Sequence, residues 1–548
     1  MSLNSVGEMD PISASSSRWG AFGHAPFAVM WTSTTLSLTG IAMSDAASAW
    51  LMTSFDPNPM AVSMVRVAAS APMFFFTFLA GALADIVEAR RYLIVLESLI
   101  TAMIVAFAGA IFLGWANAHV LLGATLLLSA GWSLAAPAWL AIIPRLVPRR
   151  DLDGAMAANS VGYNVSRAFG PFVAGLAIAK LGSSAPYWIF GVANFVTLIA
   201  LLWWRAPPVV GETLPAERLT SAIKTGLRHA FYNRQLRATL ARTLAVYPFA
   251  VALLALLPLV ARMRMDEGPE FYGVVMGAAS VGAIGASFVV RRLKAWLGAD
   301  RLVAAGTIGL AASLVMFGLA RAPTLAMAAA PLAGASWTIV LSSLNVSAQL
   351  SLPDWVRARG LAIFLTVIFG CMAVGSAVWG QIAVALGVPT ALFLAAAGAL
   401  IAIPLTWRWK LQTAVGVDLS PAMHWPAPNL ARQVRDNSGP VLVTLRYHLT
   451  GVDPAPFLAA IDEIGRQRRR DGAYAWGIFE DVAEKGIFLE TFLIESWLET
   501  KHLRERVTNA DRLVEEHVLE LVKGRPDLTL LVASDPRRAP TESRAMAA

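Results

Sequence analysis

The sequence predicts an all-α integral membrane body of twelve spans in two six-helix halves, followed by a small α+β domain. Three observations lead there. Of 548 residues, 57% are hydrophobic and 15% charged, against about 45–50% and about 25% in ordinary soluble domains. Apolar runs of the ~20 residues that cross a ~30 Å hydrocarbon core recur as far as Lys410. Beyond Lys410 the hydropathy falls, prolines cluster, and short alternating segments replace the long runs.

Taken in order, positions 1–25 are serine-rich and lack an apolar core, so they read as a cytoplasmic tail rather than a cleaved signal. Spans are expected near 26–53, 60–84, 92–113, 119–142, 154–180 and 185–204, then 240–261, 270–290, 301–320, 323–350, 360–386 and 389–408. Between the halves, 205–239 reads as a polar linker. One set of alternate loops carries Arg90 and Arg91, then Arg145, Arg149 and Arg150, then the basic linker, then Arg291, Arg292 and Lys294, then Arg357 and Arg359. Cytoplasmic loops accumulate such charge, so both termini are expected in the cytosol. Pro148, Gly170 and Gly175 of the first half, 26–204, recur in register as Pro353, Gly375 and Gly380 of the second, 240–410. Two related halves imply a substrate site between them and a rocking motion about it.

The link "GALADIVEARR" at 81–91 joins spans 2 and 3. Its Gly81-x-x-x-Asp85-x-x-x-x-Arg90-Arg91 pattern, set in twelve helices, resembles the signature loop of the major facilitator superfamily, although Glu88 and Ala89 stand where a glycine usually precedes the basic pair. The resemblance implies a cytoplasmic latch in which Asp85 faces the start of span 11 and Arg90 and Arg91 complete the charged contact. The runs "MSDAASAWLMTSFDPNPMAVSMVRVAASAP" (43–72), "NSVGYNVSRAFGPFVAG" (159–175) and "ALLPLVARM" (255–263) resemble the branch that holds siderophore exporters, macrolide-type efflux proteins and transmembrane secretion effectors. That similarity implies proton-driven export, as an antiporter, of a drug, siderophore or other small amphipathic metabolite across the inner membrane. Gly170, Pro171 and Gly175 match a reduced form of the superfamily's antiporter motif in span 5, and Gly170-Pro171 is expected to bend the helix. No Gly-Lys pair occurs, which excludes a phosphate-binding loop of the ATP-hydrolysing kind.

Ionisable groups inside spans cost at least ~2.5–3.5 kcal/mol at the bilayer centre, so each is a candidate for function. Asp45 and Arg66 fall at similar depth on consecutive spans and are expected to pair, with Asp45 as the protonatable group and Arg66 as its modulating partner. Arg167 falls mid-span, with Asn164 one turn away, and both are expected to face the substrate cavity. Glu97 lies near the cytosolic end of span 3, where a basic loop residue is its expected partner. Gly162, Ser166, Gly170 and Ala174, four apart on span 5, allow close helix approach. Trp337, Trp379, Phe364, Phe369, Met276 and Met372 give the second half an aromatic and thioether surface suited to a bulky ligand.

After a linker at 411–439, the segment 440–535 reads strand (441–448), helix (454–469), strand (473–480), strand (487–495), helix (497–522), strand (528–532), before a tail at 536–548. That order is the ferredoxin-like split repeat. "RRRDGAYAWGIFED" (468–481) and "ESWLETKHLRERVTNAD" (495–511) resemble the tail of some members of the same branch and, more distantly, the dimeric α/β-barrel monooxygenases, which implies a homodimer through this domain. His448, His502 and His517 lack ligand spacing, so no metal, cofactor, catalytic residue or nucleic-acid partner is expected, and the chain is not read as an enzyme. The competing readings are a membrane-tethered enzyme acting on the exported compound and a regulatory scaffold.

Overall fold

The computed structural model describes residues 20–86, 88–205, 219–411, 418–420, 422, 434–449 and 453–533. The expected tails up to 19 and from 534, and the linker stretches 206–218, 412–417 and 423–433, lie outside the described residues. The membrane body comprises α1 (Ala25–Phe55), α2 (Pro59–Ile86), α3 (Ala89–Phe112), α4 (Ala118–Leu146), α5 (Leu152–Leu181) and α6 (Ala185–Trp203). Then follow α7 (Leu219–Tyr232), α8 (Arg234–Leu259), α9 (Pro269–Leu319), α10 (Pro323–Leu350), α11 (Asp354–Leu386) and α12 (Val388–Thr406).

Among the described residues nine helices are long and apolar enough to cross a membrane. One of them, α9, is two spans in one run, divided where Gly298 takes φ 76°. A left-handed residue cannot continue the hydrogen-bond ladder, and glycine adopts that conformation at little cost. Long α1 and α5 add two more rods, their hydropathy lowered by serine and threonine in α1 and by glycine, amide and charged side chains in α5. Twelve spans result, with α7 an amphipathic helix set between the halves.

Helix ends follow local chemistry. Asn117 caps α4 by accepting from the amides of His119 and Val120 at 3.0 Å, and Asn233 caps α8 by accepting from Gln235 and Leu236. Such caps satisfy amides that a helix start leaves without partners. Inside the spans hydroxyls turn back on their own helix, as Thr125 does to the Leu121 carbonyl at 2.8 Å and Ser376 to that of Met372 at 2.7 Å. Hydrocarbon offers no other partner. The outer belt is apolar: Phe75 is 69% exposed and Phe288 and Trp296 80%. In water that exposure would be a liability; in a bilayer it is the lipid contact.

The halves meet where α2 packs on α11 and α5 on α9. Small residues permit the approach. A Cβ on Gly175 would lie 2.5 Å from the Pro269 carbonyl and 2.8 Å from Gly273 Cα, and one on Gly380 would collide with Ser63. Both contacts lie at the end of the body that holds the α1–α2 turn. There Arg262 also donates to Thr53 Oγ1 at 3.0 Å, and its guanidinium lies 5.7 Å from the Trp50 ring, which stacks on Tyr272.

The C-terminal domain runs β1 (Val441–His448), α13 (Ala455–Asp471), β2 (Tyr474–Glu480), β3 (Ile487–Ile494), α14 (Trp497–Arg506), α15 (Asn509–Glu520) and β4 (Asp527–Val532). The sheet order is β2-β3-β1-β4, fully antiparallel, with Val441 opposite Ile494 on one side and Val532 on the other. This is the connectivity of the split repeat read from the sequence, with one difference. The expected second helix breaks in two, because Thr508 and Asp511 form a capping box that starts a new helix at Asn509. One sheet face buries Val441, Val443, Phe488 and Phe492 against α13 and its neighbours.

Candidate functional site

Between the halves lies a cavity of about 450 Å3, lined by α1–α6 of one half and α8–α11 of the other. Asp45 on α1, Arg66 on α2, Glu97 on α3 and Arg167 on α5 contribute its charges. Met276, Trp337, Phe369 and Met372 form part of the wall in the second half. Trp379 and Phe364 do not join them: Trp379 donates from Nε1 to the Pro248 carbonyl at 2.6 Å, and Phe364 is fully buried in the core.

The contact ion pair expected between Asp45 and Arg66 does not form. Among the described residues no ion pair within 4.0 Å reaches Asp45; both arginines, Arg66 and Arg167, act on it from a distance. The physical reason is the space itself: all three side chains give onto a cavity rather than a helix seam. Arg167 donates from Nη1 to the Tyr163 hydroxyl at 3.3 Å and sits 5.7 Å from that ring. Tyr163 therefore occupies the place assigned to Asn164, which is not among the lining residues. The short amide of Asn164 turns back to donate to the Ser160 carbonyl at 2.8 Å.

Glu97 has no basic partner among the described residues and belongs to a neutral network. Trp139 Nε1 donates to its carboxylate at 2.8 Å. Asn194 takes a bond from Ser37 at 2.7 Å and donates to Thr101 at 3.0 Å and to the Glu97 carbonyl at 3.3 Å. The apolar surroundings made this network hard to read, since its members come from α1, α3, α4 and α6.

The small-residue stripe on α5 has two jobs. A Cβ on Gly162 would meet Thr35 and Trp31, one on Gly170 would meet Ala42 and the Thr39 carbonyl, and Ser166 donates to the Thr35 carbonyl at 2.9 Å. These pack α5 on α1 within the first half. Gly175 instead faces Pro269 and Gly273 across the interface between halves. The helix runs unbroken through Pro171, which lines the cavity.

The side chains of Gly81 and Asp85 lie outside the described residues. Arg90 and Arg91 are placed, and among the described residues neither makes a hydrogen bond or ion pair to α11. Arg90 donates from Nε to the Leu201 carbonyl at 3.1 Å and from Nη2 to that of Leu202 at 3.0 Å, while Arg91 pairs with Glu88 at 2.7 Å. The last carbonyls of a helix lack partners and carry its negative end, so the end of α6 captures Arg90.

On the side of the body away from the α1–α2 turn, the C-terminal domain docks on α7 and the start of α11. Arg228 donates to the Gly472 carbonyl at 2.5 Å, and the Arg506 guanidinium lies 4.7 Å from the Trp355 ring. His229, 1% exposed, stands edge-on to Trp355 at 5.4 Å, with Nε2 3.2 Å from Asn233 Nδ2 and Nδ1 3.9 Å from Asp471 Oδ1. Asn233 Nδ2 also donates to the Ser351 carbonyl at 2.7 Å. Arg470 spans Asp471 and Asp511, each at 2.7 Å. Burial, reinforced by Arg470, pushes the imidazole of His229 down to about 3. Burial raises Asp471, with Arg470 opposing it.

The family model described as transmembrane secretion effector matches residues 16–534, the membrane body and the C-terminal domain together. The chain belongs to this family. Among curated proteins, the chain is similar to the multidrug efflux pump Tap of Mycolicibacterium fortuitum, 23% identical over 363 residues, covering 64% of this chain and 87% of that protein. The match to the Tap pump of Mycobacterium tuberculosis is 27% identical over 214 residues and covers 37% of this chain and half of that pump. In fold, it resembles the nucleoside transporter NupG, with a TM-score of 0.57 at 12% identity over 70% of this chain and 99% of that one. It likewise resembles a POT family transporter at 0.56 and 11%, over 70% of this chain and 95% of that one. The membrane body has the twelve-helix major facilitator fold.

Proposed function

We propose that this protein is a proton-coupled exporter that moves a small amphipathic molecule, a drug, siderophore or secondary metabolite, out of the cytosol by alternating access. The observation that carries the reading is the interhalf cavity, where Asp45 faces Arg66 and Arg167 without a contact pair, opposite Trp337, Phe369 and Met372. An acid held by cations across a gap can exchange its proton without dismantling a packed salt bridge, and the aromatic and thioether wall suits varied apolar bodies. The naming of its relatives as multidrug efflux pumps supports the direction of transport.

On this reading the body sits in the inner membrane with both termini in the cytosol, as the loop arginines favour. The contacts of Gly175, Gly380 and Arg262 close the outward end, and α7 lies on the inward side. Asp45 takes the coupling proton and Arg66 modulates it. Gly81, Asp85, Arg90 and Arg91 form the latch of the outward-facing state, so Arg90 leaves the α6 carbonyls when the halves rock. The C-terminal domain moves with the second half through α7 and α11, and a homodimer forms through its open sheet face. Dye efflux from cells expressing the protein, with and without a protonophore, tests the reading: collapse of the proton gradient should stop efflux, and efflux that continues refutes proton coupling.

A further inference from the structure

The described charged groups on the cavity wall are Asp45, Arg66, Glu97 and Arg167. Glu97 is held by Trp139 and belongs to a neutral network. Both arginines act on Asp45, so around that acid the wall carries two cations to one carboxyl, with Glu97 engaged by its own partners. Arg167 has five N–H donors, of which one goes to Tyr163 among the described residues.

Across the cavity stands Tyr247, on α8 of the second half. It is 2% exposed, its ring packs edge-on to Trp337 at 5.5 Å, and among the described residues its hydroxyl has no hydrogen-bond partner. Arg167 and Tyr247 line the same cavity from opposite halves. A buried phenol without a partner is costly. An acceptor brought between Tyr247 and Arg167 would remove that cost and use the free guanidinium donors, and a carboxylate accepts from both at once.

The geometry points to an oxyanion subsite shared by Arg167 of the first half and the Tyr247 hydroxyl of the second, which takes the carboxylate of an amphiphile whose apolar body lies on Trp337, Phe369 and Met372. This rests on the export reading and narrows its substrate to singly acidic amphiphiles. Because the two donors belong to different halves, the bound carboxylate links the halves that must move against each other.

The test uses the purified full chain in nanodiscs and three pyrene probes of the same length: pyrenebutyrate, pyrenebutanol and pyrenebutyl-trimethylammonium. Energy transfer from tryptophan reports binding. The carboxylate should bind at least about tenfold more tightly than the alcohol, because its charge strengthens the bonds from both donors and its two oxygens can accept from Arg167 and Tyr247 together, whereas the alcohol offers one neutral oxygen. Tyr247→Phe removes an unpaired hydroxyl, so the melting temperature should hold or rise while the preference for carboxylate over alcohol falls several-fold. Arg167→Gln should abolish the preference. The subsite is overturned if the alcohol or the ammonium binds as tightly as the carboxylate, if the preference survives both substitutions, or if no probe binds. Dye efflux by the same variants reads the export proposal separately. A protein that prefers the carboxylate but exports nothing keeps the subsite and loses the transport reading; one that exports dyes without that preference does the reverse.

Discussion

Acidification should loosen the C-terminal domain from the membrane body, and His229 fixes by how much. The imidazole is buried at the joint, 1% exposed, and held down to about 3 in the docked state. Released into water it would return to an ordinary value near 6.5. The undocked state therefore binds a proton below pH ~6.5 that the docked state refuses, so docking is fully favourable above that pH and weakens as pH falls toward 3. Between pH 7.5 and 5.5 the cost is about 1.4 kcal/mol, a roughly tenfold fall in the docking constant. Asp471 works the other way, since burial raises it and protonation there favours docking, while Arg470 pairing lowers Asp511. Replacing His229 by Phe keeps the ring against Trp355 and isolates the histidine's share. Cys371 is the single cysteine, so a Cys371→Ser background accepts spin labels at Arg234→Cys on α8 and Glu484→Cys in the domain, both exposed. The undocked fraction from their distance distribution should rise about tenfold relative to the docked fraction in the parent over that pH range, and by much less in His229→Phe. Identical pH profiles in the two proteins would refute the reasoning.

Asn194→Leu should lower stability by about 1–3 kcal/mol, because it strands the Ser37 hydroxyl and the Thr101 and Glu97 acceptors in a buried site; thermal melting in detergent checks it. Gly175→Leu should express and insert but transport slowly, because its side chain meets Pro269 and Gly273 where the halves close; normal efflux would show that this seam need not shut. The isolated fragment 438–536 should sediment as a dimer through the unpaired sheet face, and a monomer removes the proposed assembly.

Span existence was legible because the bilayer imposes a length. Residues 154–180 were expected for the fifth span and α5 is Leu152–Leu181. The kink inside α9 was less so: Arg291, Arg292 and Lys294 read as a loop, but the helix runs on through them and breaks at Gly298. In the C-terminal domain alternation placed β1 well, since its side chains point by turns to core and open face, while the Thr508–Asp511 capping box that splits the last helix was present in the sequence and overlooked. Charge marked Arg167 for the cavity, and Asp45 and Arg66, expected as a contact pair, line it as well. Tyr247 and Tyr163 were missed because a tyrosine in a span is unremarked until its neighbours across the cavity are known. The placements of Asn164 and Arg90 in this structure share one cause. A polar side chain near a helix carbonyl prefers that carbonyl, and sequence spacing alone does not show which carbonyls are free.

The central claim, that Asp45 carries the proton that drives export, is tested most directly by Asp45→Asn in inverted membrane vesicles with an imposed pH gradient, following uptake of a transported dye. The substitution keeps the side chain's size and hydrogen-bonding capacity and removes its titration. Gradient-driven uptake should vanish while dye binding to the purified variant remains measurable. Uptake equal to the parent's at the same gradient would contradict the assignment.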